Sequence, residues 1–331
     1  MTLRLAFLGT GLATSLHSKT MKAMAPDVER WYASRDRARA EATRAQFGGA
    51  GAFDSYEAAL GDRNITAVLV ALPPSLHLEW TMRALDAGKH VILEKPPLLR
   101  SGDVAAVKDA ARRADRQVLV AENYYYKPLA ITLRRTIARG DLGDLRFLHL
   151  NALKQQSTSG GWRDDEALSG HGALFEGGIH WISLLSSLGP TVTRVRAARA
   201  GSRAGLDRSI LVTLEYAEGL VATLAYSWEI RGLLNGVRWS ACYGTAGTLR
   251  FETNGILAVQ TGRRRRLLVP GLADLLGYRA MLADFFEAIR QNRPPAYTLD
   301  LAERDLRLVE DAYASLLSPD PLDPRGPLDP R

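Results

Sequence analysis

A short apolar run, Leu3–Leu8, breaks onto Gly9-Thr10-Gly11-Leu12-Ala13-Thr14, and a helix-like stretch, Ser15–Met24, follows. A strand that stops at a glycine turn and opens a helix leaves main-chain N–H groups pointing outward at the positive end of the helix dipole. That is what a pyrophosphate needs. Gly9 admits the tight turn, and Gly11 lets a bound phosphate approach the backbone. Thr14 stands where such turns usually carry a third glycine, which sets helix and strand slightly further apart.

The same rhythm continues over the first 120 or so residues. Apolar runs at Trp31–Ser34, Ala67–Leu72, Val91–Leu93 and Val118–Ala121 alternate with helical stretches at Ala38–Phe47, His77–Ala87 and Asp103–Ala114. Uninterrupted apolar strands separated by amphipathic helices predict a parallel sheet covered on both faces. With right-handed crossovers this is a doubly wound Rossmann domain, residues 1–122.

From Arg146 the texture changes. Arg146–Lys154, Arg194–Ala200, Ile210–Tyr216, Val221–Trp228, Val237–Tyr243 and Thr248–Glu252 read as strands without intervening helices. Ala217-Glu218-Gly219 and Gly244-Thr245-Ala246-Gly247 supply hairpin turns. The expected fold is α/β, with the N-terminal doubly wound sheet followed by an α+β domain, 123–317, carrying a large, mainly antiparallel sheet. Two helices, Tyr278–Gln291 and Leu301–Leu317, close it. The tail 318–331 repeats Pro-Leu-Asp-Pro-Arg and reads as disordered.

The end of the second strand selects between dinucleotides. A carboxylate about 20 residues past the glycines hydrogen-bonds a ribose 2′-hydroxyl, whereas an Arg accommodates a 2′-phosphate. Here the chain reads Ala33-Ser34-Arg35-Asp36-Arg37. Ser34 and Arg35 favour NADP(H) over NAD(H). In the opposing reading, Asp36 bends back to the ribose and Arg35 is merely solvated.

Further on, Leu72-Pro73-Pro74-Ser75-Leu76-His77 precedes the strand that ends in Glu94-Lys95-Pro96. A Lys at the carboxyl end of a parallel strand faces the crevice where such sheets bind ligands. Pro96 biases Lys95 toward an extended backbone. Gly170-His171-Gly172-Ala173-Leu174-Phe175-Glu176-Gly177-Gly178-Ile179-His180 then opens a helix with a His on its first turns.

These residues resemble the Gfo/Idh/MocA oxidoreductase family nearly end to end, stopping at the Pro-rich tail. The markers are the glycine turn with His17, the Pro73…His77 segment, Glu94-Lys95-Pro96, and the Trp162-Arg163…Gly172…Glu176…His180 stretch. The resemblance implies that Lys95 and His180 flank the reacting carbon beside a nicotinamide. Lys95 would polarise the substrate oxygen, and His180 would give or take its proton, with Glu176 setting the His tautomer. It also implies a dinucleotide site built from Gly9, Thr10, Gly11, Leu12, Ala13, Ser34, Arg35, Leu72, Pro73, His77, Glu94, Lys95 and Asn123. A carbohydrate-like substrate would meet Lys95, Tyr124, Tyr126, Trp162, Arg163 and His180, because aromatic faces and forked donors suit polyols. His17 and His77 read as packing or cofactor-wall residues. The second domain's sheet would join copies into a homodimer or homotetramer.

Three positions depart from the family pattern. Glu176 replaces the usual Asp four residues before the His, Ser183 replaces the Asp three residues after it, and Tyr125 replaces an Arg. The proton relay and the substrate are therefore open.

Other chemistries fit less well. No Tyr is followed four residues later by Lys, the short-chain dehydrogenase signature. The single cysteine, Cys242, excludes an intramolecular disulfide and a cysteine-rich zinc site. Metal ligation by His171, Glu176 and His180 is poorly served by the surrounding glycines, so no metal is expected. A tightly bound NAD that transiently oxidises a sugar to cleave a glycosidic bond is one alternative, and a non-catalytic dinucleotide sensor is another. Retention of both Lys95 and His180 weighs against the sensor. The net charge of +7 includes one dense run, Arg263–Arg266, that reads as a solvated hairpin; no nucleic-acid partner is expected. No apolar stretch approaches the ~20 residues of a membrane span, no signal peptide is legible, and a cytoplasmic location is the expectation.

Overall fold

The computed structural model describes residues 3–156, 163, 165–201, 205–232, 236–263 and 265–317. The first half alternates strand and helix: β1 Leu3–Leu8, α1 Leu12–Met24, β2 Val28–Ala33, α2 Arg37–Phe47, β3 Gly51–Phe53, α3 Tyr56–Gly61, β4 Ala67–Val70, α4 His77–Asp86, β5 His90–Leu93, α5 Val104–Ala114 and β6 Val118–Val120. All strands are parallel, in the order β3-β2-β1-β4-β5-β6. Strand order therefore reverses between β1 and β4, and ligands bind above the carboxyl ends at such a switch point.

Period-two alternation explains the two covered faces. Leu5 and Phe7 of β1 pack with Leu69, Ile92 and Met21. Ala6 and Leu8 point the other way and join Val68, Val70, Val91 and Leu93. β3 and α3 lie in a stretch where no element was expected. β3 has only three residues, one a glycine, too few to display a period.

The chain then continues as α6 Asn123–Tyr126, α7 Pro128–Ala138, β7 Leu145–Leu153, α8 Glu166–Ser169, a π-helical turn Leu174–Gly178, α9 Ile179–Ser186, β8 Val192–Arg199, β9 Ser209–Tyr216, β10 Val221–Ser227, β11 Trp239–Gly244, β12 Gly247–Glu252, β13 Ala258–Gly262, β14 Arg266–Leu268, α10 Tyr278–Gln291 and α11 Leu299–Ser315. The sheet runs β14-β13-β12-β11-β7-β10-β9-β8, antiparallel except where β7 and β10 lie parallel. One face is buried: Leu148, Leu150, Leu224 and Leu214 share a core with Leu133 of α7, Ile182 of α9 and Leu306 of α11. The other exposes Phe147, Leu211 and Trp239.

Packing does not follow the expected division at residue 122. Met281, Leu282, Phe285 and Phe286 of α10 pack into the cluster of Leu5, Phe7 and Met21, so α10 covers the first sheet although it belongs to 123–317 in sequence. The sequence pattern marks this helix but not the layer that receives it. Arg263, Arg265 and Arg266 are exposed at the β13–β14 connection, as a solvated hairpin requires, and the tail 318–331 lies outside the described residues. Cys242 is buried on β11, where desolvation pushes its thiol up to about 12. Among the described residues, no helix is long and apolar enough to cross a membrane.

Candidate active site

β1 ends because Gly9 adopts φ +108°, and a Cβ there would stand 2.6 Å from the carbonyl oxygen of Ala71. Only glycine fits. The Thr14 hydroxyl, fully buried, donates to the Gly9 carbonyl at 2.8 Å, so the residue in the third-glycine position ties the helix to the turn. Gly11 caps α1 without a side-chain hydrogen bond, and no acidic residue sits in the first turn. A Cβ on Gly11 would meet nothing within 4 Å. The open space before these free N–H groups is part of a cleft of about 590 Å³ over the carboxyl ends of β1, β4 and β5.

Gly9, Thr10, Gly11, Leu12, Ala13, Ser34, Arg35, Leu72, Pro73, Glu94, Lys95, Arg163, Glu176 and His180 all line this cleft. At one end Asp36 caps α2, its Oδ1 accepting from the N–H groups of Ala38 and Arg39 at 2.9 and 3.4 Å. That oxygen is committed to the helix. Arg35 and Arg39 stand against the Tyr56 hydroxyl on the same wall, leaving the end cationic. The glycine cradle, the uncapped helix and this basic end fit a dinucleotide.

At the other end, Lys95 Nζ donates to the main-chain carbonyl of Glu176 at 2.9 Å and lies 3.6 Å from its Oε1. Arg163 Nε donates to the same Oε1 at 3.1 Å. Burial pushes the Glu176 carboxyl up, but Lys95 and Arg163 outweigh it and hold the group below its ordinary value. A carboxylate bridging two cations is the result. Beneath it, Glu94 accepts from the Lys95 N–H at 3.2 Å and contacts His17 Nε2 at 2.5 Å. Burial raises Glu94 too, and His17 with Lys95 reverses the shift.

The expectation that Glu176 sets the His180 tautomer is corrected. His180 Nδ1 contacts Oε1 of Glu122 at 2.7 Å instead. An α-helical spacing of four would stack Glu176 against His180, but a π turn spans Leu174–Gly178, and its wider ring changes the register. Gly177 permits this, since a Cβ there would sit 2.1 Å from the Tyr226 hydroxyl. The Tyr124 ring stacks on the imidazole with centroids 4.3 Å apart. Burial, reinforced by Lys95, holds His180 well below its ordinary value, so it is neutral near pH 7.

Several expected contacts lie off the cleft. The Tyr126 hydroxyl donates to Asp284 at 2.8 Å and accepts from the Tyr297 N–H, joining α6 to α10. Asn123 is buried and donates to the Leu276 carbonyl at 2.6 Å. His77, 1% exposed, reaches the carbonyls of Pro96 and Leu72 at 2.8 Å each and braces the loop that follows Lys95. Tyr124 supports His180 from behind rather than lining the space. Trp162 lies outside the described residues. His171 stacks on Tyr313. Sequence reasoning missed Glu122, Arg39, Tyr56 and Tyr278, the last three of which line the cleft.

Fold and site together define a protein of the Rossmann class, with a second, mainly antiparallel sheet, whose candidate side chains line one cleft over the carboxyl ends of the parallel strands. The chain belongs to the Gfo/Idh/MocA oxidoreductase family. Residues 3–122 match the family described as "Oxidoreductase family, NAD-binding Rossmann fold", and residues 130–250 match the GFO/IDH/MocA C-terminal domain. Among curated proteins it is 38% identical to a dTDP-3,4-didehydro-2,6-dideoxy-alpha-D-glucose 3-reductase of Streptomyces violaceoruber, over 50% of this chain and 48% of that one. It is 32% identical to D-xylose 1-dehydrogenase (NADP(+)) 2 of Haloferax volcanii, over 60% of this chain and 61% of that one. The matches thus span about half to three fifths of those relatives. A levoglucosan dehydrogenase structure in complex with NADH and L-sorbose superposes with a TM-score of 0.86 at 20% identity, covering 95% of this chain and 96% of that one. A 3-ketoreductase of Actinomadura kijaniata in complex with NADP and TDP-benzene gives 0.83 at 20% identity, over 95% and 98%. At such identities the likeness establishes the fold.

Proposed function

We propose that this protein is an NADP(H)-dependent oxidoreductase acting on a carbonyl or hydroxyl carbon of a sugar-like substrate. The observation that carries the reading is that Lys95 and His180 line one cleft with the Gly9–Ala13 turn. A bound nicotinamide dinucleotide would supply the hydride acceptor or donor. Lys95, oriented by the Glu176 carbonyl, polarises the substrate oxygen and stabilises charge that develops there during reduction. His180, neutral and with Nδ1 occupied by Glu122, has Nε2 left to exchange a proton with that oxygen. Arg163, anchored on Glu176, lines the same cleft. Two curated relatives are named for sugar chemistry, which supports a carbohydrate substrate. NADP(H) rests on Arg35, Arg39 and the capping role of Asp36. The exposed apolar face around Phe147, Leu211 and Trp239 is proposed to join two copies.

A coenzyme titration by fluorescence tests the reading, followed by a screen of aldoses, cyclic polyols and nucleotide-linked ketosugars with the preferred coenzyme. NADPH is expected to bind more tightly than NADH. Arg39→Ala should remove a charge-assisted contact and cost NADPH ~10–100-fold in affinity while leaving NADH nearly unchanged. Equal losses for both coenzymes would remove the NADP(H) assignment, and binding of neither would overturn the oxidoreductase reading.

A further inference from the structure

Glu122 follows β6, one strand beyond the β5 end that carries Lys95, and is 1% exposed. Its Oε1 lies 2.7 Å from His180 Nδ1 and accepts from the Tyr124 N–H at 3.0 Å. The imidazole is thus fixed at its Nδ1 edge by Glu122 and on one face by the Tyr124 ring. Lys127 Nζ lies 4.2 Å from the centroid of that ring, and Trp181 meets it edge-on. The charged groups acting on Glu122 are Lys95, Glu94 and Lys127; those acting on His180 are the same three and Glu176. The Tyr278 and Tyr297 hydroxyls also feel the Glu122 charge.

We propose that Glu122 is the positioning and proton-holding partner of His180. The proposal rests on the oxidoreductase reading and names the path of its proton. In the donor state the Glu122 carboxylic acid donates to bare Nδ1, and Nε2 carries an N–H toward the cleft. In the acceptor state Glu122 is a carboxylate, Nδ1 carries the hydrogen, and Nε2 offers a lone pair. The imidazole is neutral in both states, so no isolated charge is buried on it.

During oxidation the substrate hydroxyl gives its proton to Nε2, and the Nδ1 proton moves to Glu122. The carbinol C–H bond breaks, with both electrons leaving as hydride to the oxidised nicotinamide, and the O–H bonding pair becomes the new C=O bond. Reduction reverses each transfer. Desolvation raises the Glu122 carboxyl to about 8, which fits a group that is an acid at neutral pH and ionises just above it.

The test is nitrogen NMR of the coenzyme-free protein with isotope-labelled histidine, titrated from about pH 6 to about pH 10. His180→Gln assigns the signal. Wild type is expected to change from the Nε2–H to the Nδ1–H tautomer with a midpoint near 8, without an imidazolium stage. In Glu122→Gln the His180 tautomer should stay fixed over the range, and turnover should fall ~10²-fold or more with coenzyme affinity kept. One unchanging tautomer in the wild type overturns the proposal, and that result needs no variant to fold. An independent coenzyme titration separates the two readings. NADPH binding with a fixed tautomer ends only the relay, whereas a tautomer switch in a chain that binds no coenzyme ends only the oxidoreductase.

Discussion

Lys95 meets Glu176 twice, through the main-chain carbonyl at 2.9 Å and the carboxylate at 3.6 Å. A residue at the end of β5 is thereby aimed by a π turn from the other half of the chain. Lys95→Ala removes the cation proposed to polarise the substrate oxygen but none of the main-chain groups of the glycine turn. Turnover is expected to drop ~10²–10⁴-fold, with dinucleotide affinity changed by less than about threefold. Steady-state kinetics beside a coenzyme titration checks this, and near-normal turnover would remove Lys95 from the chemistry.

The two glycines of the turn should fail in opposite ways. Gly9→Ala forces a Cβ against the Ala71 carbonyl in a left-handed backbone, at a cost of about 1–3 kcal/mol from the conformation alone. Thermal unfolding should report a lowered midpoint. Gly11→Ala meets no protein atom, so its midpoint should stay within ~2 °C of wild type. The added methyl instead occupies the space a pyrophosphate needs, and coenzyme affinity should weaken ~10-fold or more. Unaltered coenzyme binding by Gly11→Ala would place the phosphates elsewhere.

The contrast between these residues shows what a sequence carries. Gly9 and Lys95 were legible because each sits where an uninterrupted apolar strand stops, and local backbone rules give such positions meaning. Glu122 obeys the same rule, at the end of the run Val118–Ala121, but its partner, His180, lies 58 residues further on, and only the tertiary fold brings the two together. Glu176 was legible as a candidate and not in its role, because spacing of four assumes an α-helix and the chain makes a π turn there. Tyr126 illustrates a harder limit. Its hydroxyl partners, Asp284 and Tyr297, lie far along the chain, and only the tertiary fold turns it from the cleft. The placement of α10 on the first sheet was hidden for the same reason.

Trp239 and Phe147 are each 52% exposed on the uncovered face of the large sheet. Large aromatic rings exposed on one face of a sheet gain by burial against a second copy. Trp239→Glu places a charge there without touching the buried core. Light scattering coupled to size exclusion should show the mass of the wild-type oligomer reduced toward 36.3 kDa, the mass of one chain. A monomeric wild type, or a variant with unchanged mass, would assign the face another role.

Stability should also depend on pH through Glu122. Burial raises its folded value to about 8 from an ordinary 4.5, so between these limits the native chain holds a proton the unfolded chain has lost. Its contribution is present in acid and declines as pH rises toward 8. His77, His90 and His180 are all lowered, chiefly by burial, and act with the opposite sign, but only below their ordinary 6.5. From pH 6.5 to 8 the Glu122 slope is therefore free of theirs and amounts to about 2 kcal/mol. Lys127, lowered to about 8 by desolvation, begins to add stability above that point, because the unfolded chain keeps its proton up to 10.5. Urea unfolding of wild type across this window should show the decline, and Glu122→Gln, which cannot titrate, should lack it. Parallel curves for the two proteins would mean that Glu122 ionises as freely in the folded chain as in the unfolded one.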